Sequence, residues 1–157
     1  MKKIFIAAML LAITFSAFAQ SGKDFYNKYS GKEGVSAVYI SPSMFRLMNS
    51  IPDIQFDSTD VNLGNIIKTF QGMYILDIEN EILAGKLASD VEGLLASGKF
   101  ELLVEAVDGG ERVRIYIVSK GETVTDFLMV AAEKGSTSVI SIQGEMPFDE
   151  LAKLIGK

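Results

Sequence analysis

Between Phe100 and Gln143 short apolar runs alternate with glycine-bearing turns, a pattern that predicts four antiparallel strands. Phe100–Val107 is followed by Asp108-Gly109-Gly110 and then Glu111–Val118. Asp-Gly and Gly-Gly both supply the positive φ of a two-residue primed turn. A turn at Asp108-Gly109 sets Val104 opposite Val113, Leu102 opposite Ile115 and Phe100 opposite Ile117. Moving it to Gly109-Gly110 keeps the same faces together. A three-residue turn without a bulge sets Glu105 against Val113 and flips one apolar face outward, so it is rejected.

The next turns follow the same reasoning. A two-residue turn at Lys120-Gly121 would bring Asp126 into the row of Ile115, and burying an unpaired carboxylate is costly. A three-residue turn, Lys120 to Glu122, is therefore expected. It sends Phe127, Met129 and Ala131 inward. A two-residue turn at Lys134-Gly135 then sets Met129 opposite Ile140 and Phe127 opposite Ile142. One apolar face emerges from both turns, and helices are expected to pack on it.

The other face carries Glu101, Glu105, Arg112, Arg114 and Asp126, mixed with Leu103, Tyr116, Val118, Leu128, Val130 and Val139. A solvated sheet face alternates more cleanly toward polar. Two readings follow: another element covers part of this face, or the face is a contact surface. The candidate interaction surface is Leu103, Glu105, Arg112, Arg114, Tyr116, Asp126, Leu128 and Val130.

Upstream, Asp24–Tyr29 reads as a short helix whose Phe25, Tyr26 and Tyr29 dock on the core. Val35–Ile40 is a strand by its β-branched and aromatic content. Ser41 caps a helix that Pro42 begins, with Met44, Phe45, Leu47 and Met48 as its apolar face. Asp53, Asp57 and Asp60 lie in a loop, but their spacing does not fit a calcium-binding loop. Leu63, Ile66, Ile67 and Phe70 make one helical face that Gly72 ends, and Met73–Ile78 is the next strand. Glu79–Ser97 is a helix with the stripe Ile82, Leu83, Leu87, Val91, Leu94 and Leu95, stopped by Gly98. Phe148–Ile155 is a short amphipathic helix.

The order of these elements predicts an α+β fold. It is two-layered, with a mixed but mainly antiparallel sheet, a C-terminal four-stranded meander and helices packed on one face. At the N-terminus, Met1-Lys-Lys precedes the apolar run Ile4–Phe18 and Ala17-Phe-Ala19, the form of a secretory signal peptide cut after Ala19. The run is shorter than the roughly 20 residues of a spanning helix. Residues 20–157 are then read as a single exported domain, destined for the periplasm, with no further membrane segment.

Composition narrows the chemistry. The 157 residues carry a net charge of −5 and contain no Cys, no His and no Trp. An acidic balance without a basic stripe argues against nucleic acid. Missing cysteine and histidine remove the thiolate nucleophile, the disulfide and the commonest general base and metal ligand. No G-x-S-x-G, S-x-x-K, phosphate-binding or dinucleotide motif occurs, and no cofactor or metal is expected.

Val38-Tyr-Ile-Ser-Pro-Ser-Met44-Phe follows a short tyrosine-containing helix, and a glycine precedes the Met73–Ile78 strand. The Leu102–Val107 strand, the Asp-Gly turn, Arg-Ile-Tyr-Ile and the late Ile-x-Gly144 complete the set. In these features the chain resembles the bacterial family known as domain of unknown function 4252. The resemblance implies a small exported protein of a Gram-negative cell and supplies no catalytic residues. Relatives with an acyl anchor carry a cysteine at the cut site; this chain has none.

The leading expectation is a non-catalytic exported domain that binds another cell-envelope component through the mixed sheet face. The alternatives are a carboxylate-dependent periplasmic glycan hydrolase and a protein that holds a small apolar ligand between sheet and helices.

Overall fold

The computed structural model describes residues 22–49 and 69–155. In chain order these form α1 (Gly22–Tyr29), β1 (Val35–Ile40), α2 (Pro42–Asn49), β2 (Phe70–Ile78), α3 (Glu81–Leu95), β3 (Glu101–Asp108), β4 (Glu111–Lys120), β5 (Thr123–Glu133), β6 (Ser136–Pro147) and α4 (Phe148–Ile155). The leader, the loop of Asp53, Asp57 and Asp60, and the stripe residues Leu63, Ile66 and Ile67 lie outside the described residues.

The strands form one sheet in the order β1-β2-β6-β5-β4-β3, with every pairing antiparallel. The two early strands join the meander through β2, which lies beside β6. The fold is α+β, and its C-terminal part is the expected four-stranded meander.

The last hairpin has the expected register, with Met129 opposite Ile140 and Phe127 opposite Ile142. The first turns at Gly109-Gly110, whose φ angles of 56° and 100° suit a primed turn. Val104 consequently faces Ile115 and Ala106 faces Val113, while an extra residue at Leu103 shifts Leu102 opposite Tyr116. No local sequence signal marks that bulge.

The second hairpin reaches the expected faces by a different device. Lys120 pairs with Thr123 around a two-residue turn, and a shift at Thr125 then sets Val118 opposite Asp126 and Ile115 opposite Met129. A tight turn followed by one unpaired residue has the same parity as the longer turn predicted from the sequence. Asp126 thus stays out of the row of Ile115, as the cost of burying a carboxylate requires.

Two of the helices, α1 and α3, however, pack on the opposite face from the one expected, while α4 lies on the expected one. α1 and α3 cover the side of Leu76, Ile78, Tyr116, Leu128, Val130 and Val139, all buried in one core with Phe25, Tyr29, Leu87 and Val91. Leu128, at 1% exposure, is sealed; its neighbour Met129 on the other face is only half-buried. Phe127, Met129 and Ala131 therefore do not face the layer formed by α1 and α3. Antiparallel pairing determines which residues share a side, but the side that receives the helices depends on the connections and on fit against them.

Local chemistry explains the helix ends. The Asn80 side chain accepts from the backbone N–H groups of Ile82 and Leu83, both at 3.1 Å, and so caps α3. α3 turns Ala84, Leu87, Val91 and Leu94 to the sheet, whereas Ile82 is exposed. Among the described side chains of α2 only Phe45 is buried; Met44 and Leu47 are exposed, so the broad apolar face expected there is not wholly packed. Phe70 opens β2 rather than closing a helix, and Gly72 lies inside that strand beside a register shift. The C-terminal α4 seats Leu151 against Ile117, Val124 and Met146, with Phe70 and Phe127 packed alongside.

Candidate functional site

The candidate surface predicted from the sequence splits into a buried and an exposed part. Tyr116, Leu128 and Val130 lie in the core beneath the helices, so those side chains are not open to a partner. Arg114 is largely covered, and its Nη2 donates to Glu92 Oε1 on α3 at 2.8 Å. Burial alone would lower the Arg114 pKa, but the hydrogen bond to Glu92 and the interactions with Tyr116 and the Glu92 charge together outweigh it, and the pKa lies above its ordinary value. Asp126 is half-buried and accepts from Thr125 Oγ1 at 2.8 Å. Leu103, Glu105 and Arg112 remain exposed at the β3 edge, where Arg112 Nη1 donates to Glu105 Oε2 at 3.1 Å. Of the two readings of this face, the covering element is the one the structure has.

A second cluster ties the helix layer together. Asp90 on α3 accepts from both Lys28 and Tyr29 on α1, each at 2.6 Å. Burial pushes the Tyr29 hydroxyl pKa upward, and the hydrogen bond to the Asp90 carboxylate adds to it. Burial works against the charge on Asp90, yet the bonds from Lys28 and Tyr29 leave its pKa below the ordinary aspartate value. Beyond α1, the rings of Tyr39 and Tyr74 stack at 4.8 Å, and Tyr26 leans on both. Burial also raises the Tyr74 pKa, and its neighbour Tyr39 contributes. Tyr26 and Tyr74 pack between helix and sheet with Tyr39 exposed at their margin, and the packing of α1 through Phe25, Tyr26 and Tyr29 is the role expected from their spacing.

The sheet face away from α1 and α3 is the larger feature. Ile75 on β2, Ile140 and Ile142 on β6, Met129 on β5 and Ile115 on β4 form adjoining apolar rows. All five are half-buried. α4 closes this face at the end marked by Ile117 and Val124, both fully buried. The sequence signal for this face was present in the clean alternation of β4 to β6; what misled was the assumption that the most apolar side must lie under the helices.

Polar groups on the sheet and helices are engaged with one another rather than gathered. Asp77 accepts from Ser138 Oγ, Glu133 from Ser136 Oγ, and the Thr137 hydroxyl donates to the Ala84 carbonyl. Among the described residues no group of three or more Asp or Glu side chains is placed to hold a metal ion, and no helix is long and apolar enough to cross a membrane.

Residues 29–154 match the family model described as Domain of unknown function (DUF4252). No curated protein and no solved structure matches the chain.

Proposed function

The chain belongs to the DUF4252 family, and from that premise we propose that it is an exported, non-catalytic domain that binds a protein of the cell envelope. The apolar rows of Ile75, Ile115, Met129, Ile140 and Ile142 carry the reading. A sheet face that meets only water tends to alternate toward polar residues, and contiguous accessible apolar area marks contact surfaces. The partner is thus a protein with an apolar patch of its own, and the docking surface moves from the mixed face to this one. The leader-like residues 1–19 support export, with the mature domain, residues 20–157, resident in the periplasm.

Neither alternative has an observation in its favour. The carboxylates of Asp77, Asp90, Glu92, Glu105 and Asp126 serve as partners to nearby hydroxyls, lysine or arginine. The space between sheet and helices is taken up by Tyr29, Leu76, Leu87 and Leu128, each at 1% exposure or less.

Photo-crosslinking in intact cells tests the proposal, with the reactive residue at Met129 or Ile140 and a control at Lys86 on the exposed side of α3. An adduct to the same envelope protein from both sheet positions, and not from Lys86, is the expected outcome. Equal adducts from all three positions, or none from the sheet, would overturn the binding surface. Fractionation tests export separately: full-length chain confined to the cytoplasm would remove the periplasmic assignment.

A further inference from the structure

We propose that β3 is a docking edge that adds an extended basic peptide strand to the sheet. This surface is separate from the apolar face discussed above. β3 ends the sheet order and pairs only with β4 among the described strands. Alternate backbone N–H and C=O groups on its outer side therefore point away from the sheet. Every residue of the strand is exposed, with Leu102 at 53% and Val107 at 60%.

Edges of this kind are ordinarily guarded by charged side chains, lysine above all, by proline or by a bulge, because a bare edge templates pairing with another chain. Here Glu101–Asp108 contains no Lys, Arg or Pro. The bulge at Leu103 affects only the first part, leaving Val104–Asp108 in regular register with β4. Added strands gain affinity from main-chain hydrogen bonds and specificity from alternate side chains.

Charge selects the occupant. Glu101, Glu105 and Asp108 are the strand's ionisable residues, and the chain as a whole is acidic at −5. A second copy paired about Glu105 would set that carboxylate against its own counterpart, an unfavourable cross-strand pair. A strand that alternates apolar residues with lysine or arginine meets Glu101 and Asp108 on one face favourably and lays its apolar side chains beside Leu102 and Val107 on the other.

Fluorescence anisotropy on the mature domain tests this with a short labelled peptide alternating lysine and valine. Two control peptides accompany it: one methylated at alternate backbone nitrogens, and one with glutamate in place of lysine. Methylation should weaken binding by roughly tenfold or more, since it removes several ladder hydrogen bonds while keeping the charge. The glutamate peptide should not bind. Glu101→Lys and Asp108→Lys, both surface changes checked by thermal melting, should weaken the lysine peptide. Equal binding of the methylated peptide would reduce the effect to charge alone and overturn the strand. So would failure of the lysine peptide to bind, or a dimer in sedimentation that excludes it.

Discussion

The Tyr29 hydroxyl donates to an Asp90 carboxylate oxygen at 2.6 Å, joining residues 61 positions apart and pinning α1 to α3. Lys28 reaches the same oxygen, also at 2.6 Å. Helices as short as α1 have little stability of their own, so this link and the burial of Phe25 and Tyr29 hold it in place.

Acid sensitivity should report on that link. The Asp90 carboxyl titrates below its ordinary value in the folded chain. Its contribution to stability is therefore present above the ordinary aspartate range and is lost as pH falls through the lower folded value. Asp90→Asn should lower stability at neutral pH and flatten the decline on acidification, measured by urea unfolding at a series of pH values. Tyr29→Phe should cost about 1.5–3 kcal/mol at neutral pH, the range for a hydrogen bond to a charged group. An unchanged acid profile for Asp90→Asn would show that other carboxylates govern it.

Leu128 and Met129 are neighbours in sequence on opposite faces of β5, and their substitutions should differ. Leu128→Ala removes a sealed side chain from the helix-covered core and should cost about 2–5 kcal/mol. Met129→Ala alters a half-buried position and should cost only about 1 kcal/mol. Chemical denaturation decides it. Equal losses would mean that the two faces are equally shielded in solution.

Two glycines should respond with opposite signs. A Cβ on Gly144 would fall 2.6 Å from the Thr69 carbonyl oxygen and 2.9 Å from the Phe70 Cα, both backbone atoms. Gly144→Ala should therefore destabilise by about 1–3 kcal/mol, because strand β6 and the start of β2 must separate. A Cβ on Gly85 meets nothing within 4 Å on the exposed side of α3. Gly85→Ala should stabilise by about 0.5–1 kcal/mol through helix propensity. Thermal melts of the two variants moving in the same direction would contradict the close contact at Gly144.

Much of the fold was legible because turn chemistry and alternation are local. Gly135, with φ 86°, permits the tight turn that sets Met129 opposite Ile140. β1 and α4 have the expected bounds, since Val35–Ile40 is β-branched and aromatic and Phe148–Ile155 is amphipathic. The bulges at Leu103 and Thr125 were not legible, because each depends on how one strand bends to follow its neighbour. Part of the candidate surface, Tyr116, Leu128 and Val130, is buried for a related reason. Leu128 and Val130 look like apolar intruders on a polar face until α3 is placed over them.

Sequence alone determined which residues of β4, β5 and β6 share a side, where the chain reverses, and how few reactive groups are available to it. A period of two and a handful of glycines are enough for that, because both act over a few bonds. Only the tertiary structure decided that α1 and α3 cover the side of Leu128 rather than that of Met129. Both sides are apolar enough to receive helices, and the choice rests on long-range fit: Tyr29 reaching Asp90, Arg114 reaching Glu92, and the bare backbone of Gly22 lying against Ser141.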